Sequence, residues 1–449
     1  MVMEEGMNDL KGFPYFEVEF KKNGTVHKTD QVKALTDFIA ADKSTDLFVI
    51  SHGWNNDMAD ARDLYSRFFD CARKVLDADA VAGVGKRKFA IMAVLWPSAK
   101  FADQELIAGG AAGIGSPISD DFLKKQLEDM KAIFNTPKAR TVLDKAKKLV
   151  PKLEDSKKAR TEFADLLRSL IPKKASPDVD AANDFSKLPG DEVLQRLSKP
   201  VPATLSKPKA GGGAAMVGIG TTVGGGGAAG VGQFFSGIKS GVSNLLNLTT
   251  YYQMKERSGI VGSTGVNQIL RTVRAQNPKI KLHLIGHSFG GRLVTAATAG
   301  VEDQPMIKVN TLSLLQAAFS HYGFSERYDG TNNGYFRRVV EGKTVQGPTL
   351  ITCTKNDLAV GKAYPLASLL AGQVAADLGD KNDKFGGIGR NGAQKTPEAS
   401  DGTLLKLGSV YKFQSGKLYN LNSDEIIKDH SDICHNEVVY AILNAISIT

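Results

Sequence analysis

The sequence predicts an α/β fold, in which a mostly parallel central sheet is flanked by helices and interrupted by a large, mainly helical, glycine-rich insertion. Three observations support this prediction. Short, continuous apolar segments alternate with segments of helical periodicity, which is typical of parallel strands buried on both faces. This alternation stops after residue 98 and resumes beyond residue 250. Where it resumes, a Gly-x-Ser-x-Gly motif at residues 286–290 joins an apolar strand directly to a helix.

The first part of the core is predicted over residues 14–98. Alternating apolar and acidic residues at 16–20 indicate an entry strand. Residues 46–54 indicate a buried strand that ends in a glycine-containing loop, and residues 89–97 indicate another strand, which Pro97 ends. Between these two strands, apolar side chains recur at the spacing of one helix face: Leu64, Phe68, Phe69, Ala72, Val75 and Leu76.

Residues 99–250 are predicted to form an inserted cap or lid, placed in the chain where it could cover the carboxyl end of the strands. Strand signals are sparse here, and charged helical segments are predicted at residues 123–134, 139–149 and 157–170. An uncharged glycine-rich tract follows at residues 210–238, and a shorter one lies at 107–115. The long tract could span a bilayer, but glycine disfavours helices and large apolar residues are few. A flexible hinge or a close-packed glycine helix is therefore the preferred interpretation.

The second part of the core is predicted over residues 251–449. Helices are expected at residues 265–275 and 436–446, and a further one directly follows the serine motif. The strands are expected at residues 280–287, 309–315, 348–352 and 418–421. Because these segments continue the pattern of residues 14–98, both parts of the core should contribute strands to one sheet.

Composition and charge limit the classes of function. The hydrophobic content of 42% is ordinary for a globular protein with a full core. The net charge of +9 comes largely from lysine- and arginine-rich stretches at about residues 120–210, which we interpret as solvated helix surfaces. Contact with anionic headgroups at a membrane surface is the lesser alternative. The sequence contains no nucleic-acid-binding motif, so no nucleic-acid partner is expected.

The cysteines and the first residues bear on the location of the protein. Cys71, Cys353 and Cys434 have neither an even count nor a metal-type spacing, which argues against a disulfide framework and for a reducing compartment. Residues 1–12 contain early acidic residues and no apolar signal region. A cytoplasmic location is expected by default, with export independent of a signal peptide as the alternative.

Ser288 is the candidate nucleophile. It lies between Gly286 and Gly290, after an apolar strand and before a helix. A serine nucleophile stands on a sharp strand-to-helix turn, and flanking glycines let the backbone approach it without a Cβ clash. The backbone N–H of Phe289 would then face the position where negative charge develops during acyl transfer. The alternative is an ordinary glycine-rich turn.

A serine hydroxyl needs a base to accept its proton, and the chain has seven histidines. Triads of the order serine, acid, histidine place the histidine after the last strand, which favours His430 or His435. His430 comes first, on an irregular stretch, and is preferred as the base. His435 begins the final helix, where a surface or capping role would suffice.

The third member should be a carboxylate between the serine and the histidine, in a loop after a strand. Asp357 follows an apolar strand and a short polar turn, and it is the preferred candidate. Because an apolar helix is predicted after it, Asp357 could alternatively serve only as a helix N-cap. Asp329, after the preceding strand, is the second candidate.

An oxyanion site needs another backbone amide besides that of Phe289. The turn at residues 52–53, after an early strand, allows the backbone N–H of Trp54 to point inward. The same loop could also cap the next helix through Asn55 or Asn56, and the two roles are compatible.

Further candidates for substrate contact lie at strand ends. Gln316 and Phe319 follow the strand after the serine motif, and with Trp54 and Phe289 they are candidates for lining the substrate pocket. No metal and no organic cofactor is needed for acyl transfer to a serine.

In its motifs and their chain order, the sequence resembles the bacterial α/β-hydrolase superfamily of serine esterases and lipases. The resemblance covers roughly residues 14–98 and 245–449 and leaves out the inserted middle. The segments that carry it are residues 50–56, 251–255, 286–290, 354–357 and 430–433.

This resemblance implies an α/β-hydrolase fold with Ser288 as nucleophile, His430 as base and Asp357 as the acid that orients it. It also implies that the amides of Trp54 and Phe289 form the oxyanion hole. The glycine-rich insertion departs from the simple pattern of such proteins.

The function expected from the sequence is that of a serine carboxylester hydrolase acting on a small-molecule or lipid ester through an acyl-enzyme on Ser288. The alternative is a membrane-active phospholipase, exported without a signal peptide, whose tract at residues 210–238 engages the bilayer. A third hypothesis is a non-catalytic binding scaffold, although a binding module has no need of serine, acid and histidine together.

Overall fold

A computed structural model describes most of the chain. The described residues are 8–98, 118–171, 188–198, 237–357, 359–360, 381 and 385–449. The short glycine tract at 107–115 lies outside them, as does the long tract at 210–238 except for its last two residues.

The centre of the protein is a nine-stranded sheet. Its strands are β1 (Asn8–Leu10), β2 (Phe13–Glu19), β3 (Asp46–Ser51), β4 (Phe89–Leu95), β5 (Lys281–His287), β6 (Thr311–Leu315), β7 (Thr349–Cys353), β8 (Ala399–Thr403) and β9 (Leu418–Asn422). Their spatial order is β1-β2-β4-β3-β5-β6-β7-β9-β8. The pair β1–β2 is antiparallel and the other pairs are parallel. The predicted α/β class with a mostly parallel sheet is therefore confirmed.

Helices cover both faces of this sheet. They are α1 (Thr29–Ala40), α2 (Met58–Asp77), α3 (Asp120–Ile133), α4 (Pro137–Leu149), α5 (Lys157–Arg168), α6 (Gly190–Leu197), α7 (Ile238–Ile260), α8 (Asn267–Gln276), α9 (Phe289–Ala299), α10 (Arg337–Glu341), α11 (Ile388–Asn391) and α12 (Asn436–Ser447). A π-helical turn, Val261–Val266, joins α7 to α8. Successive residues of β3 show why both faces are apolar, since Val49 belongs to one hydrophobic cluster and Phe48 and Ile50 to the other.

The helices between β4 and β5 pack as one group with the core. Apolar residues of α3 to α6 join α7 in the hydrophobic cluster that covers one face of the sheet. The predicted boundary at residue 250 falls inside α7, whose Arg257 donates to the carbonyls of Pro97 (2.6 Å) and Ile133 (3.2 Å). Within the described part of the chain, no helix is both long and apolar enough to cross a membrane.

The strand order leaves a crevice at one end of the sheet. β3 lies between β4 and β5, so the chain leaves β3 toward one side of the sheet and β5 toward the other. At such a switch point, the loops after neighbouring strands separate and open a crevice at their carboxyl ends. Ser51 pairs with Gly286 in the β3–β5 register. The loops that begin at His52 and Ser288 therefore start side by side at this crevice.

Candidate active site

Ser288 lies on a strained turn between β5 and α9. Its backbone angles, φ 57° and ψ −125°, belong to a region that residues with a Cβ rarely adopt. Its own N–H donates to the carbonyl of Leu315 (3.0 Å), and its carbonyl accepts from Gly291 (2.9 Å) and Ala318 (3.0 Å). These bonds to β6 and α9 hold the serine in a conformation that would otherwise be costly.

The glycines around Ser288 allow three backbone segments to meet. A Cβ on Gly290 would collide with the carbonyl oxygens of Ser51 and His52, and one on Gly286 would collide with the carbonyl of Gly290. A Cβ on Gly291 would lie 2.5 Å from that of Ala317. The spacing of glycines in the motif is therefore explained by close contact between β3, β5, β6 and the start of α9.

The loop after β3 is fixed by the buried imidazole of His52. The backbone N–H of Trp96 donates to Nε2 (3.3 Å), so the proton of the ring is on Nδ1, which donates to the carbonyl of Gly53 (2.9 Å). Burial lowers the pKa of His52 to about 4, so the ring is neutral. Because a trans peptide directs its N–H away from its carbonyl, the N–H of Trp54 points away from the His52 ring.

The same loop lies directly against the serine. A Cβ on Gly53 would be 2.5 Å from Cβ and 3.0 Å from Oγ of Ser288. The rings of Trp54 and Phe289 are 6.1 Å apart between centroids, and Tyr251 of α7 lies 5.2 Å from Phe289. The two residues predicted to supply oxyanion amides thus lie together beside Ser288. Phe289 is also the first residue of α9, where helical N–H groups have no carbonyl partner within the helix.

The N-cap of α2 differs from the two residues proposed for it. The cap is Asp57, whose carboxylate accepts from the N–H groups of Ala59 (2.8 Å) and Asp60 (2.9 Å), and Asp60 in turn accepts from the N–H of Asp57 (3.1 Å). This reciprocal arrangement is a capping box. Asn56 instead donates to the carbonyls of Gly53 (3.4 Å) and Trp54 (3.2 Å), which helps to fix the loop.

His430 and Asp357 form a hydrogen-bonded pair. His430 Nδ1 lies 2.8 Å from Asp357 Oδ2, and because a carboxylate only accepts, Nδ1 carries the proton. The Asp357 side chain is fully buried, whereas that of His430 is 20% exposed. Burial lowers the pKa of His430, but the charge and hydrogen bond of Asp357 outweigh it, so the pKa is raised above its usual value. Asp357 also accepts from the N–H of Val360 (2.9 Å), a bond of the kind that an N-cap side chain makes, although most of the helix predicted to follow lies outside the described residues.

This pair is connected to the serine turn by His287, the residue before Ser288. Its Nε2 lies 2.8 Å from the carbonyl oxygen of His430, and the centroids of the two rings are 4.9 Å apart. This contact could not be predicted from the sequence, because the two residues are 143 positions apart. Ser288, His430 and Asp357 are therefore brought to one end of the sheet.

A second set of bonds holds the Asp357 turn against the His430 loop. Asn356 Nδ2 donates to the carbonyls of Asp424 (3.0 Å) and Ile427 (2.9 Å). The Asp424 carboxylate accepts from Thr354 Oγ1 (2.8 Å) and from the N–H of Lys355 (3.0 Å). Sequence reasoning missed both Asn356 and Asp424, since neither residue type nor spacing distinguishes them from ordinary turn residues.

The alternative candidates have other partners. His435 Nε2 lies 2.8 Å from Asp432 Oδ1, in a pair whose side chains are both about 30% exposed. Asp329 is exposed and accepts from Thr331 and Asn332 of its own turn. Those bonds lower its pKa to about 2. Asp329 thus pairs with its own loop, and among the described residues no hydrogen bond joins it to a histidine ring.

Gln316 and Phe319 lie in the interior. Gln316 is fully buried, accepts from Thr352 Oγ1 (2.6 Å) and donates to the carbonyl of Gly389 (3.2 Å). Phe319 is fully buried as well, with its ring 5.3 Å from that of Phe336. A contact of either side chain with a substrate stays a prediction.

The site thus combines a serine on a strained turn, a histidine with a buried carboxylate, and backbone amides at the start of a helix. Such groups can activate a hydroxyl and stabilise an oxyanion. Among the described residues, no cluster of three or more histidine, cysteine, aspartate or glutamate side chains could hold a metal ion. No family model, curated protein or solved structure matches the chain. The chemistry of the site follows from its own residues.

Proposed function

We propose that this protein is a serine carboxylester hydrolase with an α/β-hydrolase fold, which cleaves small-molecule or lipid esters through an acyl-enzyme on Ser288. The observation that carries the proposal is the hydrogen bond between His430 and the fully buried Asp357, in a loop that His287 ties to the strained turn of Ser288. A histidine that serves only as a solvated surface residue does not need a buried carboxylate partner. The pairing with Asp357 therefore favours a catalytic role for His430.

The proposed reaction uses His430 as the base. Because Nδ1 donates to Asp357, the lone pair for accepting a proton is on Nε2. His430 removes the proton of Ser288 as Oγ attacks the ester carbonyl, and the amides of Trp54 and Phe289 stabilise the oxyanion. The protonated ring then gives its proton to the departing alcohol. Water attacks the acyl-enzyme by the same sequence and releases the acid.

The test is hydrolysis of p-nitrophenyl esters of increasing acyl length, beside labelling of Ser288 by a fluorophosphonate. We expect activity with a preference for short acyl chains, because Ser288 is only 5% exposed and the rings of Trp54 and Tyr251 pack against that of Phe289, the residue after it. Activity on phospholipid vesicles but not on small esters would favour the phospholipase alternative. No labelling and no hydrolysis would refute the proposed chemistry.

The pH dependence of kcat/KM in the Asp357→Asn variant should differ from that of the wild type in a direction that the structure predicts. Neutral His430 is the active form, so activity should fall as the pH drops through its pKa. Asp357 raises that pKa, so the acid limb of kcat/KM should lie above about pH 6.5. In Asp357→Asn the charge of Asp357 is lost, and the lowering by burial is opposed by the charge of Asp429, so the limb should move to lower pH while the plateau falls by about 10⁴-fold.

The matched control for this profile is Asp432→Asn, which removes the negative charge beside His435 and should leave the acid limb in place. Each profile is measured as kcat/KM against pH with one ester. An unchanged limb in Asp357→Asn would mean that His430 is not the titrating base.

Gly53→Ala should damage the site through a single added methyl group. Its Cβ would be 2.5 Å from that of Ser288, so either the serine or the loop that carries the Trp54 amide must move. Loss of one oxyanion donor lowers kcat by roughly 10²-fold or more. The control is Gly85→Ala, where the nearest heavy atom to the new Cβ is 3.5 Å away. Equal kcat in both variants would contradict the close packing described.

A further inference from the structure

We infer that His287 is a positioning residue that fixes His430 relative to Ser288, an inference that rests on the proposed function. His287 directly precedes Ser288 in the chain, and its Nε2 lies 2.8 Å from the carbonyl oxygen of His430. A carbonyl can only accept, so Nε2 carries the proton and donates it. One side chain therefore joins the turn of the nucleophile to the loop of the base.

The His430 loop needs such a bond because it has no regular secondary structure. Residues 423–435 connect β9 to α12 as an irregular segment, and loops of this kind have fewer constraints than strands and helices. His287, in contrast, is the last residue of the buried strand β5 and is only 5% exposed. The bond thus transfers the rigidity of the sheet to the loop that holds the base.

The His287 ring can hold this position without competing for the proton. Burial lowers its pKa to about 3, and the electrostatic influence of His430 and His52 lowers it as well. The hydrogen bond to the His430 carbonyl acts in the opposite direction but is outweighed. A neutral ring 4.9 Å from His430 places no positive charge beside the imidazolium that forms in the reaction.

The test compares three variants of His287 that differ in whether the new side chain can donate a hydrogen bond to the His430 carbonyl. His287→Leu removes the N–H, His287→Asn keeps an amide that is too short to reach, and His287→Gln keeps an amide of about the reach of Nε2. The control is His283→Leu, which removes another buried histidine of β5, one that contacts Asp46 (2.8 Å) and Thr311 (2.9 Å) at the other end of the strand. Kinetics on p-nitrophenyl acetate, the acid limb of kcat/KM and thermal unfolding are measured for all four variants.

We expect His287→Leu and His287→Asn to lose about 10²-fold in kcat, the effect of a displacement near 1 Å at a catalytic group, with little change in KM. Their acid limbs should move to lower pH, because a loosened His430 loses part of its bond to Asp357. His287→Gln should recover most of kcat, and His283→Leu should keep it. If the leucine variant does not fold, the asparagine–glutamine comparison decides. Equal kcat in those two variants, or a change confined to KM, would overturn the inference.

Failure of this inference can be distinguished from failure of the proposed function. Fluorophosphonate labelling of Ser288 in the wild type tests the function, and the labelling rate of the His287 variants tests the positioning role. A labelled wild type with an equally fast His287→Leu variant refutes only the positioning role. The ¹³C shift titration of His430 gives a readout without substrate, and a pKa unchanged by His287→Leu would likewise refute it.

Discussion

Replacing Ser288 with alanine is expected to lower the rate of ester hydrolysis by about 10⁴-fold or more, while the protein stays folded. The variant keeps the Cβ that packs against Gly53 and the backbone bonds to Leu315, Gly291 and Ala318. It loses only the Oγ that would form the acyl-enzyme. The free energy of unfolding should therefore change by less than about 1 kcal/mol.

The matched control is Ser313→Ala, in the neighbouring strand β6. Ser313 is fully buried, and its Oγ has no hydrogen-bond partner among the described residues. Hydrolysis of p-nitrophenyl esters, fluorophosphonate labelling and thermal unfolding are compared for both variants. Wild-type turnover by Ser288→Ala would remove the serine from the mechanism, and a Ser313 variant as inactive as Ser288→Ala would show that the loss is structural.

The central strands were predictable because each is a continuous apolar run between polar turns. The runs predicted at 280–287, 309–315 and 348–352 correspond to β5, β6 and β7. The edge strand β8 was missed because its sequence, Ala-Ser-Asp-Gly-Thr, contains no apolar alternation. Nearly all of its residues are exposed, so no hydrophobic pattern is needed there. A strand that pairs only at the sheet edge leaves little trace in the sequence.

The site was predictable where chemistry restricts residue type and local context. Ser288 was marked by its glycines, and Asp357 and His430 by their places after strands. The bonds that hold these parts together were not, because they join distant positions through a main-chain carbonyl. The contacts of His287 with His430 and of Asn356 with Asp424 and Ile427 are of this kind. A carbonyl is present in every residue, so sequence reasoning cannot single out the one that accepts.

Two histidines in one loop each have a carboxylate partner, and replacing them separately should distinguish them. His430→Ala is expected to lower kcat by about 10⁴-fold, whereas His435→Ala should change it only slightly. The reason lies in the partners: Asp357 is fully buried, and Asp432 is 31% exposed. A carboxylate shielded from water stabilises an imidazolium far more than a solvated one, and exposed pairs contribute about 1 kcal/mol or less.

The comparison is made on kcat with one p-nitrophenyl ester, with thermal unfolding to exclude loss of the fold. The double variant should be no slower than His430→Ala alone, because a residue outside the mechanism adds nothing once the base is lost. A larger loss in His435→Ala would move the base by five positions and make Asp432 its acid. It would also leave the His287–His430 bond without a catalytic role, since that bond ties only the His430 end of the loop to the serine turn.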